Sequence, residues 1–501
     1  MQMNHRLSFA TRRRFIQAAA TLVGVSLAKT TYSSTATEKQ IYYISPSGND
    51  ANPGTLEQPW ATIQKAADTL TAGDTVYLRE GTYLISQQIN PRNSGTENQW
   101  IIYAGYPRET AIIDADNIYV GPPVGQAPFP HDQGAFQIEG KHHILIKNLT
   151  LKNSHNGGFV VRDSHHIDFY NNTTINTFSS GIFIGRGCYQ HKVLGNTVIN
   201  ANTNEMRIEH PGYPYQKSVG PHEGITIGSV EDFEVAYNQV CYCAKEGIDC
   251  KGTPKRGKIH HNYTHHCRRQ GLYADSWRDV LEDLEFYENV VHDCETGIAI
   301  SAEDGPKINN IKIHHNLVFN NRATGIFISR WGKDRLKTNI QIYNNTIHHN
   351  GYGLKNTPDP YWLTGGLYFY STNLENVVVR DNIFSDNAWF QIGYSSDFEP
   401  DAFRTKNIKI ESNLFFDNNT VTYPVNLDEW ANDRVYATKG EDFIEADPLF
   451  ENTMNVNFYL QASSPAAQKN FGAFPPNATQ NFWWSVNFPP QFVHPSEESF
   501  S

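Results

Sequence analysis

The chain has 501 residues, 39% of them hydrophobic and 19% charged, with a formal net charge of −11. That sign excludes a protein that grips nucleic acid through a basic surface. Nine Trp, 26 Tyr and 28 Phe carry too much apolar area for a disordered chain, and the scarcity of Met beside abundant Gly and Asn favours β structure over helical bundles.

The first 28 residues read as an address. Thr11, Arg12, Arg13, Arg14, Phe15 and Ile16 precede a mild apolar stretch from Ala18 to Leu27, and Ser26-Leu27-Ala28 offers small residues for cleavage. The stretch is too short to span a bilayer as a helix, and the paired arginines before Phe have the pattern of a twin-arginine export signal. The expectation is an exported protein, in the periplasm or secreted, with no stable membrane insertion. Next, Tyr42 to Asp50, the turn Asn52-Pro53-Gly54 and the segment Trp60 to Ala67 predict a strand, a turn and a short capping helix.

A repeat governs the middle of the chain. Short strands headed by Gly158, Gly181, Gly224, Gly247, Gly271, Gly297, Gly325 and Gly366 recur at 23 to 28 residues, stretched to 43 and 41 by two insertions. Asn148, Asn172, Asn196, Asn238, Asn262, Asn289, Asn316, Asn345, Asn382 and Asn413 keep the same beat. A unit of about 24 residues with no room for a crossover helix fits one coil of a parallel β-helix. The predicted fold is therefore all-β: one right-handed parallel β-helix over residues 40–470, with a C-terminal tail at 471–501. Stacked turn Asn side chains are expected to bond one another along the axis. Five residues further, Cys243, Cys267 and Cys294 occupy consecutive coils, and coil spacing suits a packed, reduced stack better than disulfides.

The opening segment, and the closing one from Asp447 to Phe450 and Phe458 to Ala467, resemble those of secreted right-handed β-helix proteins acting on polysaccharides, the pectate-lyase-like superfamily. The resemblance implies a substrate cleft over the Gly-headed sheet, walled by the insertions 202–221 and 355–364, and a polysaccharide as the partner of a monomeric protein.

Strand alternation turns positions two and four of each Gly-headed strand inward and three and five toward solvent. The outward columns then gather Asp249, Lys251, Tyr273 and Asp275, with Glu303 just beyond its strand, as the candidate catalytic group. Arg186, His222, Trp277, Arg330, Trp331 and Tyr368 are the candidate substrate-binding residues. Glu223, Glu246 and Asp249 converge from adjacent coils as hard-oxygen ligands, making calcium the candidate cofactor; these positions resemble the acidic calcium cluster of lysine-base β-helix pectate lyases, although Tyr273 stands where their lysine is expected. Three functions compete. A polysaccharide lyase needs a base and a positive group for a uronate, a glycoside hydrolase needs paired carboxyls such as Asp275 with Glu303, and a glycan-binding protein needs only aromatic platforms. The doublets His260-His261, His265-His266, His314-His315 and His348-His349 fall on the other sheets, as turn and surface columns.

Overall fold

The computed structural model describes residues 39–121, 132–202, 222–352, 364–416, 425–426 and 434–474. The export-signal region and most of both insertions lie outside these residues, as does 475–501. The described chain is a parallel β-solenoid of about twelve turns. The turns build three long sheets: a first of 13 strands from Ile41–Ile44 to Ile408–Glu411, a second of 13 from Gly81–Leu84 to Ile444–Glu445, and a third of 12 that holds the Gly-headed strands and ends in two antiparallel strands, Arg434–Ala437 and Val425–Asn426. Strands one coil apart pair in parallel, and the Gly-headed strands keep the expected columns: Thr226, Asp249, Tyr273 and Ala299 lie in one row, and Gly228, Lys251, Asp275 and Ser301 in another.

The core follows from that registration. Ile225, Ile227, Ile248, Cys250, Leu272, Ala274, Ile298 and Ile300, all at positions two and four, are buried in one cluster running the length of the barrel. Its upper end is closed by the helix Ile63–Thr69, whose first turn is capped by Thr62 accepting from the Lys65 amide. Ile63, Ala66 and Ala67 plug the barrel. Trp60 stacks on Tyr42 with ring centroids 4.5 Å apart and donates from Nε1 to the Asn52 carbonyl.

The asparagine ladder is continuous from Asn172 to Asn413. Each Nδ2 donates to Oδ1 of the next rung, as in Asn262 to Asn289 and Asn289 to Asn316 at 3.0 Å, and the same oxygen also accepts a backbone amide. The structure corrects two details. The left-handed backbone falls on the residue before each rung, including Tyr237, His261 and His315, while the rung itself is buried. Asn148 and Asn153 are such preceding residues, one position early, so their columns begin at Asn172 and Ser154. A second ladder joins Asn321, Asn350 and Asn387, continuing the column of Cys243, Cys267 and Cys294.

All six cysteines are free and buried. The glycine marker has a packing cause at this corner. A Cβ on Gly271 would lie 2.3 Å from Val291 and 3.3 Å from the Cys294 sulfur, and one on Gly297 would lie 2.5 Å from the Gly325 carbonyl and 3.0 Å from the Asn321 amide. The strand glycines thus make room for the second column, Cys294 and Asn321, and not for the first asparagine ladder.

The closing segment does not stack as another coil. Phe458 and Ala473 cover Val290, Leu317 and Phe319 on the outer face of the second sheet, and Ala466 and Phe471 cover Ile383 and Leu414.

Candidate active site

Along the Gly-headed sheet, the residue before each glycine and the outward position three meet over the coil corner. Glu223 and Glu246 precede Gly224 and Gly247, and Asp249 and Lys251 follow on the strand Ile248–Gly252. Lys251 Nζ donates to Glu223 Oε1 at 2.7 Å and lies 3.3 Å from Asp249 Oδ2. Lys245 Nζ reaches the same Glu223 oxygen at 3.0 Å and stands 3.8 Å from Glu246, whose other oxygen meets Arg269 at 3.3 Å. One coil on, Tyr273 donates to Glu303 Oε1 at 2.6 Å, and Trp277 Nε1 donates to Asp275 Oδ2.

Burial divides this patch by chemistry. Asp249 and Asp275 are 1% and 3% exposed, whereas the Lys251 side chain keeps 24% of its surface. Positions three and five were expected to face solvent, and there the structure differs. They point away from the barrel, but neighbouring side chains roof them. Burial disfavours ionisation of Glu223, but Lys251, Lys245 and His222 outweigh it and hold its carboxyl well below the usual range. Burial pushes Asp249 well up, with Glu223 and Asp275 adding to the shift against the pull of Lys251. Asp275 is raised by burial and by Glu303, and Glu303 by burial. Burial by itself would lower Lys251, yet Glu223, Asp249 and Asp275 keep its proton firmly on. Tyr273 is raised by burial and by the carboxylates beside it. Three buried oxygens, Glu246 Oε2, Asp249 Oδ1 and Asp275 Oδ1, have no hydrogen-bond partner among the described residues.

The profile of the Pel9A-like right-handed β-helix region matches residues 42–220, and that of the general right-handed β-helix region matches 133–310 and 216–357. The chain is a pectate-lyase-like right-handed β-helix protein. It is 27% identical to the uncharacterised protein YwoF of Bacillus subtilis (strain 168), over 90% of this chain and 98% of that one. It is 34% identical to pectate lyase PEL9 of Emericella nidulans over 116 residues, 23% of this chain and 28% of that one. Among solved structures, pectate lyase Pel9A superposes with a TM-score of 0.49 at 16% identity, covering 88% of this chain and 93% of that chain. A lacto-N-biosidase from Eubacterium ramulus superposes with a TM-score of 0.53 at 12% identity, covering 81% and 68%, which speaks to the fold alone.

Within this pectate-lyase-like scaffold the expected residues separate into groups. Asp249 and Lys251 join Glu223, and Tyr273 joins Glu303, as the common beat required. Glu223 is taken up by two lysines, so Glu223, Glu246 and Asp249 do not gather as three open ligands. Arg330 stacks 3.9 Å over Tyr370 and meets Asp397 at 2.5 Å, and Trp331 packs edge-on to Tyr273 and Phe327. Trp277 is 44% exposed beside Asp275. Tyr368, expected to face the cleft, is instead 1% exposed, walled in by Phe327, Tyr370 and Phe390. Aromatic residues stack up this outward column and bury one another. Arg186 turns to Asp163 at 3.8 Å, and His222 packs on Phe183 with Nε2 3.5 Å from Asp132. Lys245 and Arg269 are the residues sequence reasoning missed. Their signal was present, since they occupy the slot of His222, two residues before each strand glycine.

Proposed function

We propose that this protein is a polysaccharide lyase that cleaves a uronic-acid-containing glycan by β-elimination at the Lys251 patch. The observation that carries the reading is a partly exposed amine, Lys251, caged by buried carboxyls beside a hydrogen-bonded Tyr–Glu pair, in a chain whose Pel9A-like region and PEL9 similarity point to pectate lyases. In the reaction, Lys251 would first lose its ammonium proton to water and then, as the free amine, take the C5 proton. The C5 electron pair would form the C4–C5 double bond, and O4 would leave with a proton from the Tyr273 hydroxyl, which donates to Glu303, or from Asp275. Arg330, held by Tyr370 and Asp397, would pair with a sugar carboxylate by exchanging its Asp397 contact, and exposed Trp277 would offer a face for a sugar ring.

Calcium would find hard-oxygen donors here, since Glu246 Oε2, Asp249 Oδ1 and Asp275 Oδ1 are buried without a hydrogen-bond partner among the described residues. They are not one of the described groups whose ligand atoms all lie within 4.8 Å of one another, so an ion held by them would have to draw them together, with Glu223 remaining on its lysines. Bound there, the ion would neutralise a uronate carboxylate and offset the charge that keeps Lys251 protonated.

A hydrolase is the second reading, favoured by the raised carboxyls of Asp275 and Glu303, one of which could serve as general acid. Incubation with pectate, other polyuronates and neutral glycans separates the two. Cleavage with new ultraviolet absorbance from an unsaturated uronate is expected, whereas reducing ends without it would establish hydrolysis and end the lyase reading.

A further inference from the structure

The outer face of the first sheet carries a histidine array that the proposed chemistry does not use. His142 and His143 open the strand His142–Lys147, and His165 and His166 open the strand His165–Tyr170 directly beside it. The first member of each doublet lies at the head of its strand, and the second adopts a left-handed backbone, with φ of 55° and 52°. That conformation folds the two rings of a doublet together, with Nδ1 atoms 3.0 Å apart in the first pair and 2.8 Å in the second. The coil repeat then stacks doublet on doublet. His142 lies on His165 at 4.9 Å between centroids, and His143 on His166 at 4.5 Å.

A single doublet is explained by one N–H···N hydrogen bond. His260-His261 and His314-His315 show the same contact, but the residues opposite their first rings are Tyr287 and Tyr343. Four imidazoles in a two-by-two block exceed what that local bond requires. One donor nitrogen from each of His143, His165 and His166 lies within 4.8 Å of the others. Ligands of a tetrahedral zinc ion sit about 3.4 Å apart, so binding would draw these nitrogens together. The array opens to solution at His166, while His143 is buried. His166 lines a cleft of about 740 Å³ with Trp100, Asp168, His191 and Lys192, and Trp100 meets His143 and His166 edge-on, limiting their swing.

We propose that His143, His165 and His166 bind a divalent transition metal of the zinc class across two coils, at the lip of this cleft. Imidazole nitrogens select zinc, copper or nickel over calcium or magnesium, so the site is chemically distinct from the carboxylates near Lys251. Burial and the neighbouring rings keep His143 neutral, lowered to about 4, and His165 and His166 are lowered mainly by burial. The neutral ring is the form that ligates.

The test uses untagged full-length protein, zinc chloride and a chromophoric chelator of micromolar affinity. Wild type is expected to retain one zinc per chain against the chelator and to melt higher with zinc than without. The double variant His165→Gln/His166→Gln should lose at least tenfold in zinc affinity and show no zinc-dependent shift. His266→Gln/His292→Gln, at the other described histidine–aspartate group, should bind as wild type. Should the first variant fold poorly, zinc protection of wild-type His165 and His166 from diethyl pyrocarbonate, read by peptide mapping, is the expected result. Surrender of all zinc by wild type, unchanged binding in the His165/His166 variant, loss confined to the His266/His292 variant, or absent protection would each overturn the site.

Discussion

Lys251 shows how burial and charge compete at a single residue. Its amine is held protonated by Glu223, Asp249 and Asp275, so the same cage that orders it also sets when it can accept a proton. On a responsive polyuronate, Lys251→Ala should lower kcat by about 10²- to 10⁴-fold, the range lost with a general base, measured by unsaturated-product absorbance. Full activity in that variant would remove Lys251 from the reaction. Glu223→Gln should destabilise the fold by about 3–5 kcal/mol, because it leaves Lys251 and Lys245 buried with less compensation; denaturant melts check this. The imidazoles of His261, His315 and His348 behave in the opposite sense to Lys251. Burial lowers each to about 4, with His260 and His314 adding to it for the first two and Asp386 opposing it for the third. At pH 7 both folded and unfolded forms are neutral. Between pH 6.5 and 4 the unfolded chain binds protons that the folded one refuses, so stability falls as pH falls. Each ring withdraws at most about 1.4 kcal/mol per pH unit in that window, which urea melts from pH 7 to 4.5 would register.

At the scale of the coil, the two corners that flank the second sheet hold the greatest constraint, with the asparagine ladder at one and the strand glycines at the other. Buried rungs such as Asn289 donate to Asn316 and to the Ile259 carbonyl while accepting from Asn262. Asn289→Ala would strand those partners, at about 1–3 kcal/mol for each group left unsatisfied. Gly297→Ala would press a methyl group against Val318 and the Gly325 carbonyl, 2.4 and 2.5 Å from its Cβ, a clash expected to lower stability by about 1–3 kcal/mol. Thermal melts of both variants are the check, and an unchanged midpoint in either would show that its corner relaxes more easily than the packing implies.

At the scale of the molecule, a solenoid must shield its ends and any apolar flank. The helix Ile63–Thr69 closes one end, and the chain from Phe450 to Ala473 straps the second sheet. Such stacking needs no covalent staple. All six thiols are free and buried, with Cys188 and Cys241 raised by burial to about 11 and 12. A thiol reagent should therefore label the native protein at well under one site and reach six only after denaturation. A melt that shifts with reductant would contradict this arrangement.

The repeat carried most of the architecture because parallel stacking converts spacing in the chain into columns in space. Gly247, Gly271 and Gly297, with Asn262, Asn289 and Asn316, predicted coil length, strand order and the row joining Lys251 to Asp275. The first member of the asparagine series was misjudged by one residue at Asn148, since an asparagine suits both the left-handed turn position and the buried rung, and the letter alone does not distinguish them. The sequence by itself determined which residues share a row and which share the core. Tertiary structure decided which outward residues remain open: the stacked rings of Phe327, Tyr368 and Phe390 bury one another, whereas Lys251 stays accessible. Exposure depends on what neighbouring coils lay over a position, and strand alternation records only the side of the sheet on which a residue begins.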